Sequence, residues 1–222
     1  MTKMQATPST SAVLHPLIIA GSLVFSLTAF AGGVPATGQA DCFDGSNMVA
    51  CTQEVSPAMS YTVQGACIRD NITGLVWETK TTDGGMRDVN HRYAWFSQDP
   101  SRNGGFAGSE GTTESCGNTL GGQTCNTASY VAAVNAVAYC GASDWRVPTQ
   151  GELATLIHAG RIEPSIDITY FPHTANSPYW SANTHAMYPE RAWGVHFGYG
   201  AANAENKFAP LPVRLVRGTW SK

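Results

Sequence analysis

The alternation of hydrophobic and polar positions predicts several short strands. In the stretch "AWGVHF", Trp193, Val195 and Phe197 alternate with small or polar residues, and a period of two is typical of a strand with one apolar face. Other short apolar runs bounded by turn residues also indicate strands. These runs are Cys67–Asp70 and Leu75–Glu78 around a turn at Asn71–Gly74, Tyr179–Ala182, and Pro212–Arg217.

A period near that of the α-helix predicts a helix in "NTASYVAAVNAVAYCG". Val131, Val134, Val137 and Ala138 lie at helical spacing there, after an Asn/Thr start. Gly141 follows them and is expected to stop the helix, because glycine readily adopts the left-handed conformation that often ends one.

A second helix is predicted to begin at Thr149. The Thr-Gln-Gly-Glu sequence fits a capping box, in which the side chains of Thr149 and Glu152 each accept the other residue's backbone amide. Leu153, Leu156 and Ile157 then supply the buried face. We therefore interpret Glu152 as a cap, and a catalytic base is the alternative.

The first thirty residues have the pattern of a targeting segment. Lys3 precedes an apolar run of fourteen residues, Leu17–Phe30, and Ala29 and Ala31 are the small residues of a signal-peptidase site. The run is too short to span a bilayer comfortably. We expect residues 1–31 to be a cleaved signal peptide, with an uncleaved anchor as the alternative. The mature protein would be periplasmic, on the cell surface or secreted.

Two regions follow the predicted signal. Residues 32–60 are rich in Gly, Ala, Ser and Pro and are interpreted as an N-terminal extension with a small Cys loop, and residues 61–222 as the folded domain. Within that domain, Thr79–Cys125 is long and polar, interrupted by "YAWF" at Tyr93–Phe96. A segment this long without regular elements is normally functional or pinned, and a Cys116–Cys125 disulfide would pin it.

Six cysteines, all beyond the predicted signal, indicate disulfides in an exported protein. Sequence alone leaves many connectivities open. Spacing favours the local pairs Cys42–Cys51 and Cys116–Cys125, and taking these two leaves Cys67 with Cys140. A zinc site is the alternative, but the sequence has no CxxC and no zinc-finger spacing.

Charged residues are scarce, at 13% of the chain, and their balance argues against a polyanionic partner. Of the 13 Lys and Arg residues, Lys3 lies in the predicted signal, which leaves 12 against 16 Asp and Glu. Binding to a polyanion depends on clustered Lys and Arg, and only Arg214 and Arg217 come close to a cluster. We expect no nucleic-acid partner.

No catalytic motif stands out in the sequence. It contains no GxSxG, HExxH or P-loop, and no GxGxxG ahead of a helix. Asp83, Asp88 and Asn90 could offer oxygens to calcium, although the loop has no EF-hand register. We expect no catalytic residue, no metal ligand and no cofactor, with calcium as an open alternative.

Seven motifs, taken together and in order, resemble the Lcl C-terminal domain family, named after a bacterial collagen-like adhesin. They span about Tyr61 to Gly218 and are "TGLVWE", "TTDGGMRD", "CNTASYVAAVNA", "CGASDWRVPTQGEL", "YFPHT…YWSA", "AWGVHF" and "VRLVRG". The resemblance implies an α+β domain with a C-type-lectin-like fold, related to that of formylglycine-generating enzymes. In that fold two helices pack on a small twisted antiparallel sheet, and the domain is loop-rich and disulfide-stabilised.

The resemblance also implies that Asp144-Trp145-Arg146 is the corner that enters the second helix. Trp145 would be buried, and Arg146 would be held by backbone carbonyls or by a carboxylate such as Asp144. Many relatives carry Cys where this chain has Leu215, so Cys140 needs another partner, expected to be Cys67. The glycosaminoglycan binding associated with the adhesin is not expected here, because of the charge balance.

Export and the resemblance together favour a non-catalytic binding or adhesion module for a surface glycan, polymer or protein. On this fold the recognition surface is the set of loops between Ser181 and Pro212, where Tyr and Asn give adaptable contacts. The residues expected to contact the ligand are Asn183, His185, Tyr188, Glu190, Tyr199, Asn203 and Asn206. The alternatives are solvated loop residues without a ligand, an enzyme related to the formylglycine generators, and a purely structural envelope domain.

Overall fold

Short antiparallel strands and short helices form the domain. The computed structural model describes residues 37–38, 41–43, 48–50 and 58–220. The strands are β1 Asp41–Phe43, β2 Met48–Ala50, β3 Tyr61–Gln64, β4 Cys67–Asp70, β5 Val76–Glu78, β6 Pro178–Thr184, β7 Arg191–His196, β8 Ala201–Asn206 and β9 Val216–Arg217. The helices are α1 Pro100–Asn103, α2 Thr127–Ala136 and α3 Gln150–Ala154, with 3₁₀ turns at Glu114–Cys116 and Tyr139–Gly141. The predicted signal peptide and the Cys42–Cys51 bond lie outside the described residues.

Two antiparallel sheets, rather than the expected single one, form the core of the domain. One has the order β3-β4-β5-β9 and the other the order β6-β7-β8, while β1 and β2 form a separate hairpin. Because β9 pairs with β5, the last strand returns to the sheet that the chain builds first. The fold class is therefore α+β, with two small sheets and few helices.

The predicted strand Pro212–Arg217 is wrong in its first part, since only Val216–Arg217 is a strand. A side chain explains the difference. The Leu215 amide donates to a carboxylate oxygen of Glu78 at 2.8 Å, so it does not enter a regular ladder.

Strand β8, Ala201–Asn206, lies where the sequence predicts loops. Its residues are Ala, Asn and Glu, which have low intrinsic strand preference. Regular pairing with β7, from Arg191 opposite Asn206 to His196 opposite Ala201, imposes the strand. The surface that the sequence predicts to consist of loops is therefore largely an antiparallel sheet, formed by β6, β7 and β8.

Helix α2 buries Tyr130 and Val134 but ends earlier than predicted. Val137 lies beyond the helix and is 62% exposed, so its assignment to the helix is wrong. Gly141 is not the stop either, because the chain already adopts a left-handed backbone at Ala138, with φ of 47°.

Tertiary contacts explain why α2 ends where it does. The side chain of Asn135 accepts the Trp145 amide at 2.8 Å and donates to the Trp145 carbonyl at 2.9 Å. Five residues after Asn135 the chain is bonded to β4 through Cys67–Cys140. The chain must therefore leave the helical path soon after Asn135.

The capping box of α3 is confirmed. The Thr149 hydroxyl accepts the Glu152 amide at 3.2 Å, and the Glu152 carboxylate accepts the Thr149 amide at 2.8 Å. Leu153 and Leu156 are fully buried, as predicted for this face.

The corner before α3 has the predicted burial but a different ion pair. Trp145 is buried. Arg146 does not pair with Asp144; it forms two hydrogen bonds to Glu152, at 2.8 and 2.6 Å, and donates to the Gly218 carbonyl. Asp144 pairs with Arg217 instead, at 2.6 Å. The capping box already turns Glu152 inward, which places both of its carboxylate oxygens within reach of Arg146.

Two disulfides confirm the expected pairing within the described residues. Cys67–Cys140 links β4 to the 3₁₀ turn that follows α2, and Cys116–Cys125 closes a loop inside the long polar segment.

Tryptophan side chains bind the long polar segment to β6. The Trp95 indole donates to the Ser181 carbonyl at 2.9 Å, and the Trp180 indole donates to the Tyr93 carbonyl at 2.8 Å. Thr79–Cys125 is therefore held in place by hydrogen bonds as well as by its disulfide.

Candidate functional site

The predicted ligand-contacting residues do not form one surface. His185, Tyr188 and Glu190 lie in the turn before β7, and Asn206 lies opposite Arg191 at the same end. Tyr199 lies in the turn after β7. Because β7 has six residues, the two ends are roughly 20 Å apart.

Asn183 and Glu190 have structural contacts of their own. The Asn183 side chain accepts the Gln150 amide at 2.7 Å, at the start of α3. The Glu190 carbonyl accepts the Lys207 amide at 2.9 Å. Both residues therefore help to connect β6, β7 and β8 to neighbouring elements.

A stack of rings occupies the first end of β7. His185 stacks on Trp193, with ring centroids 5.1 Å apart and planes inclined by 30°, and lies against Tyr188, also at 5.1 Å. The Arg191 guanidinium lies over the Tyr188 ring at 5.9 Å. Tyr188 is 51% exposed. We call these four residues the aromatic end.

Hydrogen bonds fix the orientation of the His185 ring. Its Nδ1 accepts the backbone amides of Met187 and Tyr188, both at 3.2 Å. In the neutral ring the proton is therefore assigned to Nε2, the nitrogen that makes neither of these contacts. The aromatic end thus combines flat apolar faces with hydrogen-bond donors and a cation.

The other end of β7 repeats part of this arrangement. His196 stacks on Tyr199 at 4.0 Å, and Asn203 donates to the Tyr199 hydroxyl at 2.7 Å. Trp193 and His196 are three positions apart in a strand, so they point to opposite faces of the sheet. The predicted ligand-contacting residues therefore form two separate groups, which lie at opposite ends of β7 and on opposite faces of the sheet.

Sequence analysis missed a cleft of about 310 Å³ between α2, the Trp95–Gln98 segment and β6. Its walls are mostly apolar, and they include two arginines. The lining residues are Trp95, Phe96, Ser97, Gln98, Arg102, Thr127, Ala128, Val131, Ala132, Arg146, Val147 and Ala182. A hollow of about 230 Å³ shares Arg102 with this cleft and is also lined by His185, so the cleft adjoins the aromatic end.

One feature of the sequence could have indicated the cleft. Helix α2 has no charged residue, although it buries only the face that carries Tyr130 and Val134. Ala128, Val131 and Ala132 form a second apolar stripe, at spacings of three and four residues. An uncharged helix with apolar residues on two faces predicts a second contact surface.

Three titratable side chains, which do not belong to the aromatic end or the cleft, form a cluster that is buried away from solvent. Lys80 donates to Glu78 at 2.8 Å and to the Tyr130 hydroxyl at 3.0 Å, and Tyr130 also donates to Glu78. Glu78 and Lys80 have side-chain exposures of 0% and 1%. Burial lowers the pKa of Lys80, against the opposing effect of Glu78, and burial also raises the pKa of Tyr130. We call Glu78, Lys80 and Tyr130 the sealed cluster; a substrate in solvent cannot reach it.

The oxygens considered for calcium are used within their own loop. Asp88 accepts the Asn90 and Gly84 amides at 2.8 and 2.7 Å, and these bonds lower its pKa. Asp83 accepts the Thr81 hydroxyl at 2.8 Å. Within the described part of the chain, no group of three or more His, Cys, Asp or Glu residues is arranged to hold a metal ion. The carboxylates of Asp83 and Asp88 therefore stabilise the turn through hydrogen bonds within it.

No helix among the described residues has the length and apolar character needed to cross a bilayer.

The comparisons with known proteins agree with the sequence motifs. The family model of the Lcl C-terminal domain matches residues 66–217, which is more than half of the chain. Neither a curated protein nor a solved structure matches the chain significantly.

Proposed function

The chain belongs to the Lcl C-terminal domain family, and we propose that it is an exported, non-catalytic binding or adhesion module with a C-type-lectin-like fold. Its ligand is a surface glycan, polymer or protein, and the aromatic end makes the contact. The stack of His185, Tyr188 and Trp193 is the observation that carries this proposal.

The chemistry of the aromatic end suits recognition. Tyrosine and tryptophan bury a large contact area at a low cost in conformational entropy, and together with arginine they dominate the binding energy of many interfaces. Stacking on His185 holds Tyr188 and Trp193 in position before the ligand arrives, which lowers the cost of binding.

Export is supported by two independent features. The apolar run Leu17–Phe30, followed by Ala31, has the pattern of a signal peptide. The disulfides Cys67–Cys140 and Cys116–Cys125 fit an oxidising compartment.

Enzymatic activity of the formylglycine-generating type has less support. That chemistry needs reactive thiols or a copper-binding cysteine pair, and four of the six cysteines are joined in disulfides. The sealed cluster is out of reach of a substrate. A binding function needs neither reactive thiols nor a titratable cluster that a substrate can reach.

Two exposed tyrosines provide a matched test of the proposed contact. Tyr188 and Tyr199 are 51% and 58% exposed, stack on His185 and His196, and lie at opposite ends of β7. On a glycan and surface-polymer array, with and without calcium, we expect Tyr188→Ala to weaken binding of the mature protein by about tenfold or more. Tyr199→Ala should bind as the wild type does.

Three outcomes would contradict the proposal. Equal binding by a folded Tyr188→Ala variant would place the site elsewhere, and loss only in Tyr199→Ala would move it to the other end of β7. Turnover of a sulfatase-type cysteine peptide would identify the protein as an enzyme.

A further inference from the structure

We propose that the cleft is a second binding site, for a small amphipathic carboxylate. The apolar body of the ligand would lie between α2 and Phe96, and its carboxylate would pair with Arg102. This proposal is independent of the function proposed for the aromatic end.

The cleft has a size and composition suited to a small molecule. Its volume of about 310 Å³ is at the lower end of the range typical of ligand pockets. Val131 and Val147 are half-buried, and Ala128 and Ala132 are exposed, so apolar surface remains available to a ligand. Burial of an apolar body against these side chains would supply most of the affinity.

The charged residues that line the cleft, within the described part of the chain, are two arginines, although the whole chain has a net charge of −3. Arg102 and Arg146 line the cleft, and no Asp or Glu among the residues that the structure describes does. An anionic ligand therefore meets favourable charge without a repelling carboxylate on the walls.

The two arginines differ in their freedom to bind. Arg146 already donates to Glu152 and to the Gly218 carbonyl, so its charge is compensated. The Arg102 guanidinium pairs with Asp99, through Nε at 3.2 Å, and the two side chains are 62% and 46% exposed. An ion pair this exposed is weak.

The terminal nitrogens of Arg102 remain available for a ligand. They make no hydrogen bond to any residue that the structure describes, while Asp99 is also engaged by the amide and hydroxyl of Ser101. A guanidinium presents paired donors that match the two oxygens of a carboxylate. Arg102 is therefore the residue expected to distinguish an acid from its neutral counterpart.

The aromatic wall of the cleft is held rigidly. Trp95 donates to the Ser181 carbonyl, and the Lys207 ammonium lies 3.9 Å from the centre of its ring. Lys207 itself donates to the carbonyls of Asn103 and Phe106, one and four residues after Arg102. This wall and the backbone next to Arg102 are thus fixed to one another without a ligand, as expected of a preformed site.

A pair of ligands with the same apolar body, one charged and one neutral, tests the proposal. The probes are 2-naphthoate and its uncharged amide, titrated into the wild-type protein by calorimetry. We expect the acid to bind about tenfold more tightly than the amide, because the guanidinium bond is charge-assisted. High salt should reduce this preference, since Arg102 is exposed.

Variants test whether Arg102 causes the preference for the acid over the amide, and whether both probes bind in the cleft. Arg102→Gln should bind the acid and the amide equally, whereas Arg161→Gln, which changes a partly exposed arginine outside the cleft, should keep the preference. Ala132→Trp places a large ring at an exposed position of the cleft wall and should abolish binding of both probes. Circular dichroism would confirm that each variant is folded.

The results that would overturn the proposal are distinct from those that bear on the aromatic end. Absence of naphthoate binding at millimolar concentration, equal binding of acid and amide by the wild type, or an unchanged preference in Arg102→Gln would each contradict it. Tyr188→Ala should leave naphthoate binding intact. A loss in that variant would mean that the probe binds at the aromatic end.

Discussion

The sealed cluster and the aromatic end use the same types of side chain in opposite ways. In the sealed cluster, a cation, a carboxylate and a tyrosine are withdrawn from solvent and bonded to one another. At the aromatic end, Arg191 and Tyr188 form a comparable cation–ring pair in solvent, with no carboxylate bonded to either side chain among the described residues. Burial decides the difference: inside the protein every charge must be compensated, whereas at the surface the groups remain available for a ligand.

Two further cations are used inside the domain. Arg214 is fully buried, donates to the Glu78 carbonyl at 2.7 Å and lies 5.0 Å from the centre of the Phe171 ring. Lys207 is buried against Trp95, and burial lowers its pKa to about 8, against the opposing effect of Glu190. The Arg214–Arg217 pair seen in the sequence is thus not a surface cluster, which strengthens the argument against a polyanionic ligand.

The largest effect is expected at the sealed cluster. Lys80→Met leaves the buried Glu78 carboxylate without its cation, and breaking a buried ion pair on one side typically costs about 3–5 kcal/mol of unfolding free energy. Urea unfolding with the disulfides intact would measure the loss. Tyr188→Ala is the control and should change stability by about 0.5 kcal/mol or less, as surface substitutions do.

A second variant separates the loss of the cation from general disruption of the core. Adding Glu78→Gln to Lys80→Met removes the uncompensated charge, so the double variant should be more stable than Lys80→Met alone. A loss below about 1 kcal/mol in Lys80→Met would contradict the structural role assigned to the cluster.

An intermediate effect is expected for the Arg146–Glu152 pair, whose side chains are 33% and 7% exposed. Glu152→Gln weakens both this pair and the capping box, and we expect a loss of about 2 kcal/mol. Thermal unfolding would measure it, with Gln150→Glu as a charge-adding control in the same helix turn.

The pH dependence of stability tests the same carboxylate. Burial raises the pKa of Glu152, but the hydrogen bonds from Arg146 and Thr149 outweigh it, so the pKa lies below the ordinary 4.5. Its contribution is therefore fully present above that pH and is lost as the pH falls through the lowered pKa. Wild-type stability should decline in this acid range more steeply than that of Glu152→Gln; parallel curves would contradict the assignment.

The smallest effect is expected at the exposed pair of Asp144 and Arg217. Their side chains are 56% and 35% exposed, and pairs of this kind contribute about 0–1 kcal/mol. Asp144→Asn should therefore lower stability by about 0.5 kcal/mol, and less in high salt. A loss of stability as large as that of Glu152→Gln would contradict this order. Burial would then not determine how much each of the three ion pairs contributes to stability.

Local sequence signals predicted the elements that depend on neighbouring residues. The capping box needs only the side chains and amides of Thr149 and Glu152, and both bonds are present. The alternating pattern near Val195 predicted β7 to within one residue. Two of the expected disulfides are present as well.

The candidate sites depended much more on distant contacts. His185 and Tyr188 were predicted as ligand contacts, but their stacking on Trp193 and their separation from Tyr199 follow from the β6–β7–β8 register. The cleft joins residues from 95 to 182, so no sequence window contains it. Only the uncharged character of α2 hinted at a second apolar surface.

The sequence by itself determined the family, the main secondary-structure patterns and the scarcity of charge. These properties are carried by residue types and by spacings of a few positions. The tertiary structure alone decided that Arg146 pairs with Glu152 rather than Asp144, that Ala201–Asn206 is a strand, and that Arg102 faces a cleft with no acidic side chain in its lining. The physical reason is that each of these outcomes depends on which distant groups share a buried or concave space, where desolvation and strand pairing outweigh local preference.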